Sequence, residues 1–167
     1  SYGAGCGPFA PEVYRIDYLN FYKKGQGKTE DEFVVQELHR LEKYFKTNVR
    51  HQDVAAIIIE LVQGEGGFTV APKGYISGLR KICDAYGIKL IFDEVQTGFG
   101  RTAAWGALEH YDVQPDLSTW AKSMGSGMPI GCVIGKQEVM DAAAPGTIGG
   151  TYIGNPVACA ASLATIK

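Results

Sequence analysis

Two apolar runs that each stop on a carboxylate constrain this chain more than any other feature. Val54-Ala55-Ala56-Ile57-Ile58-Ile59 runs into Glu60, and Ile88-Lys89-Leu90-Ile91-Phe92 runs into Asp93. Runs this rich in β-branched residues, with little polar alternation, predict strands buried on both faces, as in a parallel sheet covered on two sides. Between them Pro72 suits the first turn of a helix, Tyr75, Leu79, Ile82 and Tyr86 form its apolar stripe, and Gly87 supplies the stop. Strand, helix, strand makes a βαβ unit.

The same alternation extends to either side. Thr29-Glu30-Asp31-Glu32 is a capping-box pattern, and Val34, Leu38, Leu41 and Phe45 then recur at steps of four and three, which predicts an amphipathic helix over 30–46. Downstream the chain reads as a short helix around 103–110, a strand over 117–121, a glycine-rich loop, a strand over 130–134 and a helix beginning near Pro156. Residues 1–28, rich in glycine and aromatics, predict no element. The fold class expected is α/β, with a mainly parallel open sheet and flanking helices.

Several function classes fall away on composition. The formal net charge of -2 has no long run of one sign behind it, so nothing calls for nucleic acid or an anionic membrane. Apolar runs such as 54–59 fall far short of the roughly 20 residues that span a bilayer. The N-terminus lacks the layout of a signal peptide. Cys6, Cys83, Cys132 and Cys159 form no C-x-x-C, and His39, His51 and His110 lack metal-ligand company, so neither a zinc site nor a disulfide framework is expected. Free thiols in a cytoplasm fit best. Gly3-x-Gly5-x-Gly7 follows no strand and opens no helix, so it fails as a dinucleotide loop.

In an open parallel sheet ligands bind beyond the carboxyl ends of the strands, and Glu60, Asp93 and Lys122 each follow a strand-like run. The three should converge on one edge. From Asp93 and Lys122 alone, a buried ion pair is the simpler reading.

The surrounding residues add a resemblance. Asp93-Glu94-Val95-Gln96-Thr97-Gly98-Phe99-Gly100-Arg101-Thr102 resembles the signature of the class III aminotransferases, enzymes of fold type I that depend on pyridoxal 5'-phosphate (PLP). Glu60-Leu61-Val62-Gln63-Gly64-Glu65-Gly66-Gly67, Ala121-Lys122-Ser123-Met124-Gly125-Ser126-Gly127 and Gly149-Gly150-Thr151-Tyr152-Ile153-Gly154-Asn155-Pro156 are similar to three further segments of that family, in the family's order. The likeness is closest to the branch acting on 4-aminobutyrate. Leu61 stands where the family usually has proline, and Ala103 where glycine is common.

The resemblance implies roles. Lys122 would carry the cofactor as a Schiff base and, once freed by an incoming amine and neutral, move the proton during transfer. Asp93 would face the pyridinium nitrogen and keep it protonated, so that the ring serves as an electron sink. Gln96 would bond the cofactor's phenolic oxygen; without the motif it reads as a solvated loop glutamine. Thr151 would reach the phosphate of a neighbouring subunit's cofactor, which implies a homodimer with shared sites; its bland alternative is a threonine in a glycine turn. Glu65 matches a glutamate that pairs with a substrate-binding arginine, an arginine this sequence does not supply. Glu60 reads as support for the site or as a strand terminus, and Arg101 as local structure.

Residues 1–167 are accordingly expected to be part of a PLP-binding large domain whose sheet includes one antiparallel strand, with an N-terminal portion and a small C-terminal domain lying outside the chain. The absence of an initiating methionine and the stop within a helix motivate that expectation, and with it that the chain alone does not transaminate. The reaction expected of the parent enzyme moves an ω-amino group, 4-aminobutyrate type first, to 2-oxoglutarate, so the partners are a small amino donor and a 2-oxo acid. Acetylornithine or ornithine aminotransfer, an amino-acid racemase or epimerase of the same fold, and an inert self-associating fragment are the competing readings.

Overall fold

The computed structural model describes residues 7–167, so Cys6 and most of the Gly3-x-Gly5-x-Gly7 run lie outside the described residues. The chain runs through α1 (Phe21–Lys24), α2 (Glu30–Thr47), β1 (Ala56–Glu60), α3 (Lys73–Tyr86), β2 (Lys89–Asp93), β3 (Leu117–Trp120), β4 (Cys132–Gly135), α4 (Gln137–Met140) and α5 (Pro156–Ile166). Short 3-10 turns at His51–Asp53, Ala107–His110 and Lys122–Gly125 punctuate it. The predicted helix around 103–110 is therefore only its last four residues in 3-10 form, and the predicted glycine-rich loop opens with a turn that carries the lysine.

Four strands form one sheet in the order β1-β2-β3-β4. β1, β2 and β3 run parallel, and β4 returns antiparallel to β3. The mainly parallel α/β architecture is thus as the sequence implied, with one antiparallel strand.

Local chemistry accounts for the two long helices. The Thr29 side chain accepts from the Glu32 amide while the Glu32 carboxylate accepts from the Thr29 amide at 2.8 Å, closing the capping box at the start of α2. α3 stops at Gly87, whose φ of 70° is a left-handed conformation that a Cβ would strain. The helices pack closely where Gly78 lies under Leu38, since a Cβ on Gly78 would come within 2.3 Å of the leucine Cδ1. Phe33, Ile76, Leu79, Leu90 and Phe92 are fully buried between these helices and the sheet.

One expectation fails here. β1 is not buried on two faces: Ile57 and Ile59 join the core, whereas Ile58, on the opposite face, is 60% exposed. Residues of a strand alternate between faces, and among the described residues the helices of the core cover only one. Ile58, Ile91, Glu60 and Asp93 share the barer face. No helix among the described residues is long and apolar enough to cross a membrane.

The end of the sheet remote from Glu60 is tied by ions. Asp116, 4% exposed, accepts from Arg80 at 2.8 Å, from Lys136 at 2.7 Å and from the Leu90 amide at 2.8 Å. Burial pushes its carboxyl up, but the hydrogen bonds from Lys136, the Leu90 amide and Arg80 outweigh this and hold it far below the usual carboxylate range.

Candidate active site

Parallel pairing lines up the carboxyl ends of the strands. Glu60 is the register partner of Asp93, and Asp93 of Thr119, so the three occupy one row on one face. Lys122 follows two residues after the end of β3. The three residues expected to converge on one edge therefore do so.

Each is held by identifiable contacts. Asp93 Oδ1 accepts from the Val95 amide at 2.9 Å and from the Thr119 hydroxyl at 3.3 Å. Oδ2 accepts from no described residue. Lys122 is exposed, has a φ of +49° that costs a side-chain-bearing residue about 1–2 kcal/mol, and donates through Nζ to Gln96 Oε1. Backbone strain of this kind persists only where the surroundings over-determine it, and it clusters at functional sites. Gln96 packs close to Gly64, where an added Cβ would stand 3.0 Å from the glutamine Cγ. Gly64 in turn donates its amide to Glu60 Oε2 at 2.8 Å. Glu60 thus acts on the edge through the Gly64 turn.

The tyrosines behind this edge lock the turn after β1. Tyr18 donates to the Glu60 carbonyl at 2.8 Å, and Tyr111 donates to the carbonyls of Ala71 at 2.8 Å and Leu61 at 3.2 Å. Burial, reinforced by the Glu94 charge, pushes the Tyr111 phenol up to about 12. Leu61, in the position where proline is usual, is wholly buried and accepts from Tyr111 and, at 3.3 Å, from Tyr18 through its carbonyl, which either residue provides.

Two expected residues stand apart from this cluster. Thr151 lies exposed in the turn before α5, and its hydroxyl makes no hydrogen bond among the described residues. Glu65 is exposed in the turn between Gly64 and Gly67. α5 itself reaches the lysine turn through its far end, where Ser126 and Thr165 share a hydrogen bond of 2.7 Å. A cleft of about 850 Å³ runs along β1 and ends at Glu60 and Asp93 without taking in Lys122 or Gln96.

Sequence reasoning missed Glu94. Its carboxylate is wholly buried and accepts from the Thr97 hydroxyl, from the Ala107 amide at 2.9 Å and from the Leu108 amide at 2.7 Å. It fastens the loop 97–108 beside Trp120, whose ring meets Phe99 edge-on. The only sequence signal was a threonine three residues on. Thr119 was missed as well, because a threonine in a strand reads as β propensity.

Residues 1–167 match the family described as aminotransferase class-III. The chain is 47% identical to the 4-aminobutyrate aminotransferase GabT of Escherichia coli (strain K12), over 99% of its own length and 37% of that protein's. It resembles the crystal structure of a thermostable (S)-enantioselective omega-transaminase from Thermomicrobium roseum with a TM-score of 0.92 and 39% identity, covering 99% of this chain and 38% of that one. A structure of the ornithine aminotransferase from Toxoplasma gondii, described as having partial occupancy of PLP at its active site, matches with a TM-score of 0.78 and 35% identity over 98% of this chain and 34% of that one. The chain thus spans a little over a third of the relatives it matches.

Proposed function

The chain belongs to the class III aminotransferases, and on that premise we propose that it supplies part of a PLP site for moving an ω-amino group, 4-aminobutyrate type first, to 2-oxoglutarate. The observation that carries this reading is that an exposed amine and an acceptor-ready carboxylate follow neighbouring parallel strands at the same end of the sheet. Lys122 Nζ lies on Gln96, and Asp93 offers an Oδ2 with no donor among the described residues.

When bound, PLP would supply an electrophilic carbonyl and a ring able to take up the electrons released at the substrate carbon. Asp93 fits the ring nitrogen of such a group, being an acceptor fixed at one oxygen and open at the other. It would keep a proton on that nitrogen. Lys122, on a short strained turn, would carry the cofactor through its amine and afterwards pass the proton at the reacting carbon. Gln96 would turn its amide toward the phenolic oxygen, with Gly64 packed close to it. Thr151, exposed and with a hydroxyl unbonded among the described residues, suits a contact to the cofactor phosphate of a second subunit, so the working form is proposed to be a homodimer with shared sites. Glu65 would face the substrate end. Ornithine-type donors come second, on the likeness to the Toxoplasma enzyme.

The test is to incubate the chain with PLP, reduce with borohydride and map the adduct by mass spectrometry. A single pyridoxyl increment on Lys122, lost in Asp93→Ala, is the expected result. Labelling scattered over other lysines, or none, overturns the reading.

A further inference from the structure

Asp93 is held by more than its strand. Oδ1 takes two donors, the Val95 amide at 2.9 Å and the Thr119 hydroxyl at 3.3 Å, from two different segments of the chain. The first donor comes from the same chain segment two residues on. The second comes from the neighbouring strand, where Thr119 is the register partner of Asp93 and shares its face. Thr119 is itself fixed, because its carbonyl accepts the Glu94 amide at 2.9 Å and its neighbours Ser118 and Trp120 are buried on the far face.

A carboxylate with one donor can swing about its Cβ–Cγ bond, presenting either oxygen. A second donor from a different strand stops that rotation. We propose that Thr119 is a positioning residue for the cofactor site: its hydroxyl, together with the Val95 amide, occupies Asp93 Oδ1 and leaves Oδ2 as the oxygen aimed at the ring nitrogen. The proposal rests on the reading of Asp93 given above.

A purely structural threonine is the alternative, and the two variants Thr119→Val and Thr119→Ser separate them. Valine keeps the β-branched shape and loses the donor, whereas serine keeps the donor and loses a methyl group. Two readouts apply to the 167-residue chain. One is the side-chain carboxyl carbon resonance of Asp93 in the PLP-free protein, and the other is PLP affinity followed by the cofactor's absorption.

In Thr119→Val the Asp93 resonance should move and PLP affinity should fall about tenfold, the worth of one hydrogen bond to a charged group. Thr119→Ser should restore both. An unmoved Asp93 resonance in the valine variant overturns the inference whatever PLP does, and so does equal loss of affinity in both variants. If the wild-type chain takes up no PLP, or Asp93→Asn binds it as tightly as wild type, the reading of Asp93 fails and the purpose assigned to Thr119 falls with it; a resonance that still shifts then leaves only a structural bond.

Discussion

Glu94 accepts the backbone amide of Ala107 at 2.9 Å from a carboxylate with no exposed surface. The second amide of that turn, Leu108, reaches the other oxygen at 2.7 Å, so one side chain closes a loop of more than ten residues. Glu94→Ala leaves both amides and the Thr97 hydroxyl without their acceptor. The variant should lose about 3 kcal/mol of stability in urea denaturation. Glu94→Gln should lose nearly as much, because its NH₂ must face one of the two amide donors. Protease cleavage within 98–106 should rise in both. Wild-type stability in Glu94→Ala would show that the loop is held by other means.

Ala103 has a φ of +61°, in the left-handed region where a Cβ is strained. Glycine is common at this position in the class III aminotransferases, and the backbone supplies the reason. Ala103→Gly should stabilise the chain by about 0.5–1 kcal/mol, the relief of strain being offset in part by the freer unfolded chain. A lower unfolding midpoint in the glycine variant would contradict this.

What was legible in the sequence was whatever periodicity or capping writes locally. The capping box at Thr29 and the glycine stop at Gly87 fall where they were expected, and the acids closing β1 and β2 do share an edge. What escaped depends on the neighbouring strand or on chain far away. Ile58 reads as buried because β-branched runs usually are, yet one face of its strand is left bare by the described residues. Glu94 follows Asp93 directly, but its side chain turns inward to the 97–108 loop. Thr119 gains its meaning only from being in register with Asp93.

Gly64 meets the site through its amide, bonded to Glu60, and through the space it leaves for Gln96. A methyl group at this position would stand 3.0 Å from Gln96 Cγ, and the backbone has no positive φ to complicate the substitution. Gly64→Ala should therefore push Gln96 from its place beside Lys122 and lower the yield of borohydride-trapped PLP adduct severalfold. In a Gln96→Ala background the same substitution should have little further effect, which a double-mutant cycle measures directly. Equal losses in both backgrounds would place the damage in the turn itself and not in Gln96.

Asp116 carries the clearest dependence on pH. It lies far below the usual carboxylate range in the folded chain because Lys136, the Leu90 amide and Arg80 all favour its ionised form against the cost of burial. In the unfolded chain it titrates near the ordinary value of about 3.9. A folded value below the unfolded one means that the ionised triad contributes fully above that ordinary value, and that the contribution drains away as pH falls through it toward the folded value. Asp116→Asn keeps one acceptor but leaves Lys136 without its counter-ion and Arg80 with only the exposed Asp84. At pH 7 it should be destabilised by about 3 kcal/mol, Arg80 being mostly buried and Lys136 half exposed. Because asparagine does not titrate, the gap between variant and wild type should narrow as pH falls below about 4. Urea midpoints measured from pH 7 down to pH 2 test this, and a gap constant across that range would mean that Asp116 contributes through shape alone.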